Sequence, residues 1–292
     1  MMGKNSYYIY IQMTLKLIPQ EIALVVSSNP ALGARNISTT PNSFDAFEIQ
    51  LDQPIEIPPN AINTNLRVEA TNIWNNEPNI IANVNDRLRV TAPNTSDVLT
   101  LYEITIPQGS YSVSELNQRI QTELSNAGAK VNPDPVISIT PDEATQKIEL
   151  RLNYLGVIVD FTIPNSCYEI LGFLATDVLT PTIAGESFLA TNEAKFNVIN
   201  YYLIASDLVS QGLRFNNTYQ QIINQTNINV RPNSLIVSEP FNPSVIPCDE
   251  LRGQVRSTFV VRLLKDDGLP ANTRNEYFSV RMSIRYMIPE EF

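Results

Sequence analysis

From Phe278 to Ile288 the chain alternates apolar and polar residues almost without a break: Phe278, Val280, Met282, Ile284, Tyr286 and Ile288 against Ser279, Arg281, Ser283 and Arg285. A period of two puts alternate side chains on opposite faces of a strand, so this segment predicts a strand with one face in an apolar core. A slip of one residue would expose every core side chain, which makes the register of such a strand strongly specified. The even-numbered side chains are expected to fill the core of a sandwich. Arg281 and Arg285 then share the outward face, where they are candidates for an assembly face toward a neighbouring chain.

The same period recurs elsewhere. Phe47, Ile49, Leu51, Ile55 and Ile57 alternate with Glu48, Gln50, Asp52 and Glu56, and Pro58-Pro59-Asn60 turns the chain. Leu66, Val68, Ala70 and Trp74 are predicted to form the inward face of the next strand, with Arg67, Glu69 and Thr71 outside. Asn75-Asn76-Glu77-Pro78-Asn79 is a composition break and marks the first boundary. FNVINYYLIASDL, from Phe196, is apolar on both faces, as in a strand covered on two sides. Short strands are expected near Tyr219–Ile223 and Ser234–Ser238, and Phe259, Val261 and Leu263 lead into the loop Lys265–Pro270.

Between the two halves lies a stretch with a different grammar. Tyr102, Ile104 and Ile106 form one face of a strand that Pro107 and Gly109 stop. Ser112 and Glu115 make a capping box, in which the serine hydroxyl accepts from the Glu115 amide while the carboxylate returns to the Ser112 amide. Val113, Leu116, Ile120, Leu124 and Ala127 follow at helical spacing, with Gly128 as a left-handed stop. Ile137 and Ile139, then Ile148, Leu150, Leu152 and Tyr154, then Val157, Val159, Phe161 and Ile163 alternate as strands. Ser166 and Glu169 repeat the capping-box spacing before a short helix that Gly172 closes. These signals describe a self-contained α+β module. The expected organisation is an N-terminal arm over 1–42, a sandwich over 43–78 plus 193–292, and an inserted α+β domain over 79–192. Within the arm, Glu21–Ser27 can form a strand.

Composition narrows the function classes. The 292 residues hold 20 prolines, 10 glycines and no histidine, with about one asparagine in ten residues. Many short strands joined by proline and asparagine turns fit that balance. A net charge of −10 argues against nucleic-acid binding by the chain as a whole. No apolar run reaches the ~18–20 residues that span a bilayer. The start, with Lys4 and YYIYIQMTLKLI, reads as neither a signal peptide nor a myristoylation site.

Without histidine, Ser-His-Asp and Cys-His nucleophile systems and histidine-ligated metals are ruled out. Two cysteines, Cys167 and Cys248, make neither a disulfide framework nor a zinc site, and each reads as a small buried hydrophobe. No dinucleotide fingerprint or P-loop is present. Asp266-Asp267 and Glu290-Glu291 are adjacent carboxylates; Asp266-Asp267-Gly268 lacks the spaced oxygens of a calcium loop and reads as a turn. Asn36-Ile37-Ser38, Asn94-Thr95-Ser96 and Asn216-Asn217-Thr218 have sequon form, which an Asn-, Ser- and Thr-rich chain produces by chance. Arg252, Arg256, Arg262, Arg274, Arg281 and Arg285 form either a basic assembly face or solvated strand edges guarded against aggregation. No catalytic, cofactor or metal residue is assigned.

Mainly β, with a single jelly-roll β-sandwich carrying an inserted α+β domain, is the expected fold class. In strand–insertion–strand order over nearly the whole chain, and in IPQGSYSVSELNQRI (Ile106–Ile120), Leu171-Gly172-Phe173 and YYLIASDLVSQG (Tyr201–Gly212), the sequence resembles the penton (minor capsid) proteins of virophages of the mavirus type and of related polinton-like viruses. The resemblance implies a structural virion protein without enzyme activity or cofactor, forming a homopentamer at each five-fold vertex of an icosahedral capsid. Its partners would be trimers of a double jelly-roll major capsid protein. The insertion would project outward, toward a host surface or another virion protein, and assembly would take place in the host-cell cytoplasm. Two other classes remain open: an attachment or carbohydrate-binding module, with Tyr102 or Tyr111 lining a groove, and a jelly-roll glycosidase with two carboxylates in a cleft.

Overall fold

The computed structural model describes residues 16–130, 134–142, 144–215 and 218–290. Most of YYIYIQMTLKLI, Asn216 and Asn217 of the third sequon, and Glu291 lie outside them. In chain order the elements are β1 (Leu17–Ser27), β2 (Ala34–Asn36), β3 (Ala46–Glu56) and β4 (Ile62–Trp74). The inserted stretch follows with β5 (Arg87–Pro93), β6 (Leu99–Thr105), α1 (Val113–Asn126), β7 (Ile137–Asp142), β8 (Lys147–Leu152), β9 (Ile158–Asp160), α2 (Tyr168–Leu171), β10 (Val178–Leu179) and β11 (Glu186–Leu189). The chain then returns through β12 (Tyr201–Ser206), β13 (Arg214–Phe215), β14 (Thr218–Tyr219), β15 (Ile222–Asn227), β16 (Leu235–Ser238), β17 (Ile246–Pro247), β18 (Val255–Lys265) and β19 (Ser279–Pro289).

Four antiparallel pairings define the outer frame: β1 with β19, β3 with β18, β4 with β16 and β17, and β12 with β15. Counting β16 and β17 as one interrupted strand, these are the first with the eighth, the second with the seventh, the third with the sixth and the fourth with the fifth. One sheet runs β1-β19-β4-β16, and the other β15-β12-β18-β3-β2. That order is a long antiparallel ribbon wrapped into two facing sheets, which is a jelly roll. The inserted module lies between the third and fourth strands of the wrap.

The core between the sheets holds Phe47, Leu66, Val68, Tyr202, Ile204, Phe259, Val261 and Leu263 with Phe278, Val280, Met282 and Ile284. Phe47 and Phe278 meet edge to face, ring centroids 5.3 Å apart. The sequence expectation for the last strand is met from Phe278 to Ile284, while Tyr286 is only partly buried and Ile288 lies outside the core; β19 is central, between β1 and β4. In β4 the expectation fails halfway. Met282 pairs with Val68 and Arg281 with Ala70, so Glu69 is an extra residue on β4. This bulge reverses the alternation. Ile73, 1% exposed, and Thr71 face inward where Trp74 was expected, and Trp74 is half-buried.

Two further boundaries differ from expectation. Leu17–Ser27 is an edge strand of the sandwich, in register with β19 over its whole length, and Ala34–Asn36 pairs with β3. The arm expected over 1–42 is therefore strand-forming from Leu17 onward; the strand expected over Glu21–Ser27 is present, and its Leu24 and Val26 pack on the core. The strand expected from Phe196 begins at Tyr201, because Phe196 packs on the core of the module instead.

The module has a four-stranded sheet, β10-β9-β5-β6, and a three-stranded sheet, β11-β8-β7. The capping box of α1 is present: Ser112 N–H donates to Glu115 Oε2 at 2.8 Å and Glu115 N–H donates to Ser112 Oγ at 3.3 Å. Its end is a Schellman motif, with Gly128 N–H on the Ser125 carbonyl and Ala129 N–H on the Leu124 carbonyl, both 2.9 Å, and Gly128 at φ 96°. Leu116, Ile120 and Leu124 are buried against the module's own core, each worth roughly 1.5–3 kcal/mol before entropy. One turn apart on α1, Asn117 accepts from Ile139 N–H at 3.0 Å and Gln121 donates to the Ile137 carbonyl at 2.6 Å. The helix thereby satisfies the free edge of β7, an edge that would otherwise invite another strand.

The second capping box does not form. Arg87 N–H donates to the Asn165 carbonyl and Cys167 N–H to the Arg87 carbonyl, so residues 165–167 run as a bridge beside β5. Ser166 Oγ is turned into the interior without a partner, Cys167 takes the cap position, and Glu169 pairs with Lys195 at 2.6 Å. Gly172 closes α2 as expected, at φ 78°. Phe173 N–H returns to the Tyr168 carbonyl at 3.0 Å, and the Phe173 ring stacks on Phe161.

A β-carbon on Gly172 would stand 2.3 Å from the Asn192 carbonyl oxygen, and Asn192 N–H donates to the Gly172 carbonyl. Gly172→Ala is therefore expected to cost more than a left-handed glycine alone would, at least about 2 kcal/mol. Urea unfolding monitored by circular dichroism measures it; a loss under about 0.5 kcal/mol would show that the 172–192 contact yields freely.

Candidate functional site

Two regions gather polar side chains in an organised way: the outer face of the β1-β19-β4 sheet, and the strap Asn75–Asn79 where the chain leaves the sandwich. Neither resembles a nucleophile–base arrangement.

On the outer face, β19 carries Arg281 and Arg285 as predicted. Both meet acids of their own chain. Arg281 Nε lies 3.4 Å from Glu69 Oε2, and an Arg285 terminal nitrogen lies 2.9 Å from Glu21 and 3.3 Å from Glu69. Ser283, 0% exposed beneath these side chains, donates to Glu69 at 3.0 Å. The hydrogen bond from Arg285 holds the Glu21 carboxyl below its ordinary range. Glu69 is the bulged residue of β4, so the irregularity that reverses the alternation lies beside the two arginines. Arg67 Nε donates to Asn65 Oδ1 and makes no ion pair among the described residues. A recess of about 480 Å³ opens beside this network, with Pro19, Tyr286 and Met287 in its lining.

The remaining arginines do not extend this face. Arg256 and Arg262 are on β18 in the opposite sheet, Arg252 pairs with Asp249 and reaches the Ala61 carbonyl, and Arg274 sits in a turn at φ 49°. The sequence run is thus divided between the two sides of the sandwich.

Other candidates have local structural work. Asp266 accepts from the backbone and side chain of Asn200, and Asp267 caps the turn at Leu269 while pairing with Lys265, as its turn reading predicts. Glu290 pairs with Lys16. Asn36 and Asn94 accept from Ser38 and Ser96 amides in Asx-type turns. Cys167 and Cys248 lie in different cores, and burial pushes each thiol up to about 12, which leaves no thiolate near neutral pH. Tyr102 is buried with its hydroxyl on the Gly128 carbonyl, and Tyr111 folds over Gly109 with its hydroxyl on the Pro107 carbonyl. Neither ring lines a groove.

The strap is the region that sequence reading missed. Asn75, Asn76 and Asn79 are buried, and each side-chain amide donates to a backbone carbonyl of a different segment. Asn75 reaches Val230 at 3.1 Å and Asn76 reaches Thr273 at 3.4 Å. Asn79, 1% exposed, donates to the Tyr111 and Phe196 carbonyls at 2.7 and 3.2 Å and accepts from Tyr111 N–H at 2.9 Å. Asn233 adds a bond from the sandwich to the Ser110 carbonyl in the module at 2.9 Å. Exit, return and both flanking loops are thus laced together. The available signal was the absence of glycine and serine from the strap: a free linker has no use for three amides.

Glu77, in the same strap, accepts from Asn272 N–H at 2.7 Å. Burial raises its carboxyl above 4.5 against the opposing effects of that bond and of Lys265, with Asp267 and Asp45 adding to the rise. The buried Tyr202 hydroxyl is pushed up by the same desolvation and by the Glu77 charge.

No protein-family model matches the sequence, and no curated protein is significantly similar to it. Among solved structures, the mavirus penton protein is similar over 92% of this chain and 100% of its own, at 14% identity and a TM-score of 0.46. The Sputnik virophage structure is similar over 91% of this chain and 97% of its own chain, at 14% identity and a TM-score of 0.42. The jelly-roll assignment rests on the strand order.

Two substitutions test the strap. Asn79→Ala leaves buried backbone groups of Tyr111 and Phe196 without partners and is expected to cost about 2–4 kcal/mol. Faster amide exchange at Tyr111 would accompany the loss; unchanged stability would mean water replaces the amide. Glu77 has a folded-state pKa above its unfolded value, so the native form is favoured when the carboxyl is protonated, and that preference is lost as pH rises from 4.5 through the folded value. Glu77→Gln is therefore expected to be at least as stable as the parent at neutral pH, with its advantage shrinking toward pH 4.5. Urea midpoints at the two pH values check the sign; a Gln variant clearly weaker at neutral pH would show that the charge is required.

Proposed function

We propose that the chain is a structural virion protein, the penton capsomer of an icosahedral capsid, acting as a homopentamer and without enzyme activity. One observation carries this reading: a complete jelly roll bears a self-cored module between its third and fourth strands, and a buried amide strap holds the two together. A sandwich of this kind offers flat sheet faces and open edges for lateral contacts, while the module is carried as a fixed projection. In this reading the sandwich lies in the capsid shell at a five-fold vertex, flanked by trimers of a double jelly-roll major capsid protein. The module faces outward to a host surface or another virion protein. Arg281 and Arg285 remain part of the proposed assembly face, with their charge largely met by Glu21 and Glu69. Assembly in the host-cell cytoplasm belongs to the same reading.

An attachment or carbohydrate-binding module is disfavoured by the two tyrosines that would have served it, since both are committed to packing. Multi-angle light scattering on the purified chain separates the readings. A closed five-copy ring is the expected result, and a monomer at every concentration would overturn the penton assignment.

A further inference from the structure

The strand that ends the first sheet is interrupted. Leu235–Ser238 and Ile246–Pro247 both pair with β4, and between them Glu239–Val245 leaves the sheet beside Arg67–Ala70. At its tip Phe241 is 98% exposed, and Leu235, Val237 and Val245 are exposed along the same edge. A phenylalanine wholly in water, flanked by Pro240 and Pro243, is a preformed anchor, because the prolines limit the entropy lost when it docks. Glu239, two residues away, is exposed and has no ion pair among the described residues.

The complementary features occur on the outer face of the same sheet. The 480 Å³ recess offers Pro19, Tyr286 and Met287 as apolar lining and Arg67 and Arg285 as cations. Glu21 also lines the recess, paired with Arg285 and feeling the Arg67 charge, so Arg67, Arg281 and Arg285 against Glu21 and Glu69 leave this face with a net positive charge, and Arg67 makes no ion pair among the described residues. One surface is thus a protruding aromatic beside an acid, and the other a recess with Pro19, Tyr286 and Met287 in its lining beside a net positive cluster.

We propose that Phe241 of one copy inserts into the Pro19–Tyr286–Met287 recess of a second copy, with Glu239 against Arg67. Both halves belong to one chain but to different patches, so the contact can be made head to tail, as a ring requires, or reciprocally in a two-fold pair, and the penton reading selects the head-to-tail form. The inference rests on the penton reading for the closed ring and adds the contact that would hold it.

The test incorporates benzoylphenylalanine at position 241 and irradiates an equal mixture of isotopically light and heavy chains. Light–heavy crosslinks into the peptides holding Pro19 or Tyr286–Met287 are expected. Phe241→Asp should leave the circular dichroism unchanged and raise the concentration of half-assembly by at least about tenfold, the loss typical of a central aromatic anchor. Glu239→Arg and Arg67→Glu should each weaken assembly, and a single chain carrying both substitutions should recover it. A parent ring that persists in Phe241→Asp without those crosslinks overturns the contact and leaves the penton reading standing. A parent chain that is monomeric at every concentration overturns both.

Discussion

The pairing of β4 with β19 is the contact on which the rest of the molecule depends. β4 takes β19 on one edge and β16 with β17 on the other, and β19 in turn carries β1. Four of the eight strands of the wrap are therefore positioned by one antiparallel ladder. Its inward residues, Leu66 and Val68 opposite Ile284 and Met282, supply a continuous part of the core. That ladder slips twice, near Asn63–Thr64 at one end and at Glu69 in its middle. The slip at Glu69 turns Thr71 inward, where its hydroxyl meets Thr226 at 3.1 Å and so enters the core with a partner. It also leaves Glu69 within reach of both arginines, so a local irregularity sets both the core and the outer electrostatics.

Much of this was legible because period-two patterning is a direct consequence of strand geometry. Phe278–Ile284, Phe47–Ile57 and Leu116, Ile120 and Leu124 of α1 were placed correctly, whereas Ile288 and Ala127 at the ends of their patterns lie outside the cores. The failures have physical causes. Trp74 was assigned by extending an alternation through a bulge, which a pattern without its partner strand cannot reveal. Ser166 and Glu169 have capping-box spacing, yet the backbone bonds of Arg87 to residues 165 and 167 decide where Ser166 points. The strand expected over Glu21–Ser27 forms but begins at Leu17; its first four residues were not legible because Pro19 and Gln20 interrupt the apolar pattern of an edge strand. Arg281 and Arg285 lie on the outer face as expected, but the acids they meet, Glu21 and Glu69, come from strands distant in sequence.

Charge follows the same logic of distant partners. The chain carries 30 acids and 20 lysines and arginines, so a surface arginine has acids available on most sides. On the outer sheet face three arginines surround two glutamates, and the pairs are half-exposed, so each contributes little to stability. Their consequence is to fix side-chain positions. Arg285 held by two carboxylates keeps one wall of the recess in place, whereas Arg67, hydrogen-bonded to Asn65 and near Glu21 but without an ion pair among the described residues, leaves the face with a net positive charge.

The strap explains how a module with its own core can be part of one object. A domain joined by two free linkers samples many orientations, and any force or contact at its tip is lost in that freedom. Here each amide of the strap bonds a carbonyl in a different segment: Asn75 the loop before β16, Asn76 the loop before β19, and Asn79 both the start of the helical region and the returning chain. Because these groups are buried, releasing any one leaves an unsatisfied carbonyl away from water, so the bonds reinforce one another as a set. Glycine could not do this, lacking the donor, and serine is too short to span two segments. The asparagine richness that looks like loop composition is, at this position, what makes the module's orientation a property of the fold.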